Sequence, residues 1–131
     1  MTRFAIDAHT AVRLVRDERT LNGAHALVGP AILRSHAMAA LYREVRAGRL
    51  DEAEGRRVLE GIAALKIRLL GDRVSRSSAW KIAAGLDWDD PAPAEYLAVA
   101  VLQADALITD DPVLIAGAGE LVRAQYDDLF R

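Results

Sequence analysis

The stretch that decides the fold is Gln103-Ala104-Asp105-Ala106-Leu107-Ile108-Thr109-Asp110-Asp111-Pro112, taken together with Phe4-Ala5-Ile6-Asp7 at the other end of the chain. Each holds a short apolar, β-compatible run that stops at a carboxylate. Such runs fit strands buried on both faces. In an open α/β sheet, ligands bind outside the carboxyl ends of the strands. If the two runs are parallel neighbours, Asp7 and Asp111 meet at that edge. Carboxylates that converge repel one another unless a cation lies between them. The pattern predicts a divalent-metal site assembled from both ends of the chain.

Outward from these runs, strand-like and helix-like segments alternate. Residues 3–6 read as a strand, followed by a helix from Thr10 to Arg16. A short strand is expected at Ala26 to Val28. Pro30 fits a helix start, and the segment Ala31 to Ala47 carries Ile32, Leu33, Ala37, Ala40, Leu41 and Val45 on one face. Gly48 suits its C-terminal cap. Asp51 with Glu54 reads as a capping box for the next helix, which carries Val58, Leu59, Ile62 and Ala63. A strand is expected at Lys66 to Leu70, and a helix from the serine cluster at 75–78 to Gly85. Asp90-Pro91 and Asp111-Pro112 each read as an N-cap with proline at the first helical position. The first of these helices runs to Gln103 and the second to Ala116. Leu121 to Ala124 reads as a last strand. This alternation predicts an α/β fold, one domain over 1–131, with a central parallel sheet flanked by helices.

Composition narrows the function. With 131 residues the chain fits a single domain with a proper core. It has no cysteine, which rules out disulfides and thiolate metal sites. The 17 basic and 19 acidic residues give a formal net charge of −2, not the excess of a protein that grips nucleic acid through its global field. Arg43, Arg46 and Arg49, with Arg56-Arg57, read as solvated helix faces. No apolar run is long enough to span a membrane. With no signal-peptide pattern, a cytoplasmic protein is expected.

Five side chains stand out as chemistry. Asp7 ends the first strand. Asp111 ends the last apolar run, although capping the helix that Pro112 begins is its ordinary role. Asp110 is its more exposed neighbour. Glu95 borders the apolar stripe of its helix, where a carboxylate can lean over the sheet edge. His36 lies one turn after Ile32 and Leu33, and a lone histidine there is ordinarily a satisfied core residue. Crowding of Asp7 and Asp111 would make Asp7→Asn stabilising. No Ser-His-Asp spacing is present, and Gly117-Ala118-Gly119 is too short for a phosphate cradle.

Ile6-Asp7-Ala8, Pro30-Ala31-Ile32-Leu33-Arg34-Ser35, Ala94-Glu95-Tyr96-Leu97-Ala98 and Gln103 to Asp111, in that order, resemble a PIN domain of the VapC toxin type. The resemblance spans nearly the whole chain. It implies a metal-dependent ribonuclease with Asp7 and Asp111 as metal-holding acids. Two further acids of that family fall on His36 and Pro93 here, leaving Glu95 as the expected third catalytic acid, acting directly or through water. The resemblance further implies Mg²⁺ or Mn²⁺ as cofactor, RNA as substrate, a small antitoxin protein as partner and a homodimer. Imidazole at position 36 favours Mn²⁺ over Mg²⁺.

Two readings follow. In one, the chain is a toxin-type endoribonuclease, or a diverged relative, in which His36 is a ligand or a proton carrier. In the other, it is a non-catalytic module that binds an antitoxin-like partner or itself. For the latter, Leu41, Val45, Val58 and Ile62 beside Arg43, Arg46, Arg56 and Arg57 are the expected docking face. A phosphatase of the haloacid dehalogenase type also begins with Asp after its first strand. It needs a second Asp where His9 stands, which argues against it.

Overall fold

The computed structural model describes all 131 residues. Its centre is a four-stranded, all-parallel sheet of β1 (Thr2–Ile6), β2 (His25–Pro30), β3 (Arg68–Leu70) and β4 (Ala106–Ile108), in the order β3-β2-β1-β4. The α/β class and the parallel sheet expected from the sequence are therefore present. Phe4, Ala5 and Ile6 are buried in succession, as are Ala106, Leu107 and Ile108. Continuous rather than alternating burial marks strands covered on both faces. In register, Phe4 pairs with Ala106, Ala5 with Leu107 and Ile6 with Ile108. That register sets Asp7 beside Thr109, just ahead of Asp111.

Seven helical segments complete the chain. They are α1 (Ala8–Asp17), α2 (Leu33–Arg46), α3 (Glu52–Ala64), α4 (Arg73–Gly85), α5 (Ala92–Gln103), α6 (Pro112–Gly117) and a closing 3₁₀ turn (Tyr126–Phe130). α1, α2 and α3 pack on one another, while α5 lies against β1 and β2. α4 and α5 meet through Ala79, Ala83, Ala94 and Ala98, all buried. Side chains this small let two helices approach closely, which explains the Ala-rich sequence of both. No helix is long and apolar enough to cross a membrane.

Local chemistry shifts several boundaries. Pro30 ends β2 instead of starting a helix; it lies past Val28, the last β2 residue in register with β1. α2 then begins at Leu33 with no side-chain cap. Its C-terminal end does use Gly48, whose φ of 75° places it in the left-handed region that glycine tolerates. Asp51 stands at the N-cap of α3 without a capping hydrogen bond, and Glu54, the other half of the expected capping box, turns to the Arg57 guanidinium at 2.6 and 2.9 Å. Asp72 caps α4 through Ser75 N at 2.9 Å, a role the serine cluster hid. Pro91, not Asp90, holds the N-cap position of α5, and Asp90 accepts from Ala92 N at 3.0 Å. Leu121 to Ala124 forms a single bridge to β4, through Leu107 N to Val122 O and Ala124 N to Leu107 O. A three-residue β4 offers a fifth strand little to pair with.

Candidate functional site at the sheet switch point

Strand order reverses between β1 and β4. The chain steps from β1 outward to β2 and β3, then returns to the far side of β1. The crevice beyond the carboxyl ends at such a reversal is where α/β sheets bind ligands. A cavity of about 340 Å³ lies at this place. Asp7, Asp111 and His36 all line it, together with His9, Arg43, Asp90, Pro93 and Tyr96. Three of the five side chains singled out from sequence thus meet here.

Asp7 is held rigidly. It is 4% exposed. One carboxylate oxygen accepts Thr10 N at 2.8 Å and so caps α1. The other accepts the Thr109 hydroxyl, which in turn accepts Asp111 N at 3.0 Å. Thr10 Oγ1 reaches Ile108 O at 3.4 Å, tying the start of α1 to the end of β4. Asp111 caps α6 through Val113 N at 2.9 Å with one oxygen, and its other oxygen accepts no hydrogen bond. The two acids are joined through one threonine. Nothing in the sequence pattern had singled out Thr10 or Thr109, although a threonine between a buried run and two aspartates is well suited to bridge them.

The α2 wall is different in kind. His36, Ala39, Ala40 and Arg43 line the cavity from α2, at the i, i+3, i+4, i+7 spacing of one helix face. His36 Nδ1 and the Tyr96 hydroxyl are 2.8 Å apart, and the rings stack with centroids 5.7 Å apart and 20° between planes. Tyr96 is buried at 5% exposure. Burial, and then the charges of Asp7, Glu95 and Asp111, push its phenol well above the usual tyrosine range. Arg43 makes no ion pair, whereas Arg49 and Arg57 are both paired, to Glu44 and to Glu54 and Glu18. Arg43 was expected on a solvated face and at the edge of the docking face; it lines this cavity instead, and its position seven residues after His36 is the signal that places it here.

Two candidates lie elsewhere. Glu95 is half-buried in the first turn of α5 and is not among the residues lining this cavity. Its charge reaches Tyr96 all the same. Asp110 is almost fully exposed and faces Arg13 at 3.9 Å. It lines a neighbouring cavity of about 490 Å³ that shares His9 and Asp111 with the first.

No group of three or more His, Asp or Glu side chains is arranged to hold a metal ion by itself. The donor set does suit a cation shared with a ligand. Each Asp7 oxygen keeps one lone pair after its hydrogen bond, and one Asp111 oxygen is free. Mg²⁺ is commonly held by one or two carboxylates, with waters and substrate phosphates filling its remaining positions.

The fold and cavity define an α/β domain with an acid-lined crevice at its switch point. No family model matches the chain, and no curated protein matches it. Among solved structures it is similar to the crystal structure of PAE2754 from Pyrobaculum aerophilum, with a TM-score of 0.71 and 22% identity over 98% of this chain and 92% of that one. A likeness at this identity is a likeness of fold.

Proposed function

We propose that the chain is a PIN-like, VapC-type protein: a divalent-metal-dependent endoribonuclease, or a diverged relative whose metal site is completed by its RNA substrate. The observation that carries this reading is the meeting of Asp7 and Asp111 in one cavity at the switch point. Asp7 and Asp111 are the residues to hold Mg²⁺ or Mn²⁺. What the bound ion would supply is a more acidic water and relief of charge on the phosphate during in-line attack. The chain's own part is positioning. The Asp111 N–H, the Thr109 hydroxyl and the Thr10 N–H fix Asp7 so that its free lone pairs need no reorganisation when the site is used. The Asp90 carboxylate, just ahead of α5, lines the same cavity and adds to its negative charge.

The test is cleavage of a structured RNA with Mn²⁺ and with Mg²⁺, wild type against Asp7→Ala. Metal-dependent cleavage that disappears in the variant supports the reading. Cleavage that survives Asp7→Ala contradicts it.

A second reading rests on a different place. A groove of about 470 Å³ between α2 and α3 is lined by Met38, Leu41, Tyr42, Val45 and Leu59, with Arg46 and Arg56 among its lining residues. Met38 and Tyr42 are 51% and 65% exposed. Val58 and Ile62, expected on this face, are instead in the core, because α3 buries them against its neighbours. The groove suits an apolar helix with acidic flanks, from an antitoxin-like protein or a second copy of the chain. A strict monomer by light scattering, with no partner captured, counts against this module reading.

A further inference from the structure

We propose that the α2 wall of the cavity is a phosphate-binding site, in which His36 Nε2–H and the Arg43 guanidinium hold a phosphodiester of single-stranded RNA in the cavity that Asp7 and Asp111 also line. This rests on the nuclease reading and deepens it by giving the substrate's backbone its own contacts.

The Tyr96 hydroxyl sets which nitrogen of His36 carries hydrogen. It has one hydrogen to donate, and a buried tyrosine hydroxyl finds an acceptor. Its single hydrogen-bond partner in the structure is His36 Nδ1, at 2.8 Å. The hydroxyl keeps its proton, since burial and three nearby carboxylates all oppose its loss. Tyr96 O–H therefore donates to Nδ1, and in neutral His36 the hydrogen resides on Nε2. A nitrogen carrying hydrogen has no lone pair for a metal. His36 is thus a hydrogen-bond donor, not a replacement ligand, and the stacked Tyr96 ring holds its plane.

Arg43 supplies the second group. It lies two helical turns further on the same face, has no carboxylate partner, and lines the same cavity. Ala39 and Ala40, between the two, are small enough to leave room for a backbone. A planar guanidinium with free N–H groups suits phosphate oxygens. The cavity thus has a cation-holding side and an anion-holding side, as a metal-bridged phosphodiester requires.

The test has two parts and needs no cleavage. Long-range ¹H–¹⁵N spectra at neutral pH should show His36 protonated at Nε2, with Tyr96→Phe mixing the tautomers. Binding of a fluorescent single-stranded RNA in EDTA at low salt should weaken about tenfold in Arg43→Ala and in His36→Ala. Arg46→Ala, on the same helix but outside the cavity, should change it less than about twofold. The salt slope should fall in Arg43→Ala by the amount one phosphate contact contributes, about 0.7 for a single strand. Asp7→Asn removes an opposing charge and should tighten binding. Equal losses from Arg43→Ala and Arg46→Ala, a His36 proton on Nδ1, or equally tight binding of an oligoglutamate peptide would each overturn the proposal. A protein that shows the expected binding but never cleaves keeps this site and loses the nuclease reading. One that cleaves unchanged in Arg43→Ala and His36→Ala keeps the nuclease reading and loses this site.

Discussion

The two walls of the switch-point cavity are built to different degrees. On the β1–β4 side, Asp7 and Asp111 are caps of α1 and α6 as well as candidate metal holders, and a threonine joins them. On the α2–α5 side, the resemblance to the PIN family calls for two more acids, and His36 and Pro93 stand there. The difference has a physical source. A carboxylate that also caps a helix contributes to folding, so its loss costs stability as well as chemistry. His36 caps no helix and ties into the fold through one hydrogen bond and a stacked ring on Tyr96, so its replacement costs the fold less.

The largest expected effect breaks the β1–β4 wall. Asp7→Ala should abolish metal-dependent cleavage. It should also lower stability by about 2–3 kcal/mol, from one lost cap and one orphaned threonine hydroxyl. Denaturant unfolding beside the cleavage assay measures both. The same contacts reverse the expectation for Asp7→Asn. Relief of like charge would favour it, but the Asn amide offers only one acceptor oxygen where Asp7 uses two. A modest loss of stability is expected in the unfolding midpoint.

Next in size is a change to the other wall. His36→Glu places a carboxylate where the resemblance to PIN domains expects one. Mg²⁺-dependent cleavage should rise tenfold or more if the added ligand contributes about 1.4 kcal/mol. Metal-free RNA binding should weaken in the same variant, since a donor has become an acceptor. Unfolding should shift little, because His36 caps no helix and a Glu carboxylate can still accept the Tyr96 hydroxyl. A large stability change would make the two walls alike and undo the contrast.

The smallest effect lies outside the cavity. Tyr126 donates to Asp17 at 3.0 Å, and burial with that hydrogen bond pushes its phenol up to about 12, against the opposing pull of Arg13 and Arg19. Between its ordinary value near 10 and that value, the unfolded chain loses a proton that the folded chain keeps. Stability should therefore be fully present below pH 10 and fall as pH rises toward 12. Tyr126→Phe should reduce that alkaline loss, read in unfolding midpoints across the range.

The sheet edge was legible in the sequence because its residues do two jobs. Apolar runs closed by Asp, with proline after Asp111, mark strand, cap and site at once, and β1, β4 and α6 fell where these residues put them. The α2 wall was less legible. A histidine among apolar residues gives no sign that Tyr96, sixty residues away, fixes its ring. Arg43 read as one more surface cation because only the fold shows that its helix face meets the cavity. Pro30 and Asp90 were displaced by a residue or more, since proline ends a strand as readily as it begins a helix. Glu95 had the right helix, but its side chain lies outside the cavity lining.

On the proposed reading, the two carboxylates hold a divalent ion only together with the phosphate of an RNA. Calorimetric titration of Mn²⁺ into the protein, alone and with a non-cleavable single-stranded RNA bound, tests it most directly. Weak binding alone, at least tenfold tighter binding with the RNA, and loss of that gain in Asp7→Ala are the results predicted. Tight binding without RNA, or a gain that survives Asp7→Ala, would contradict the account.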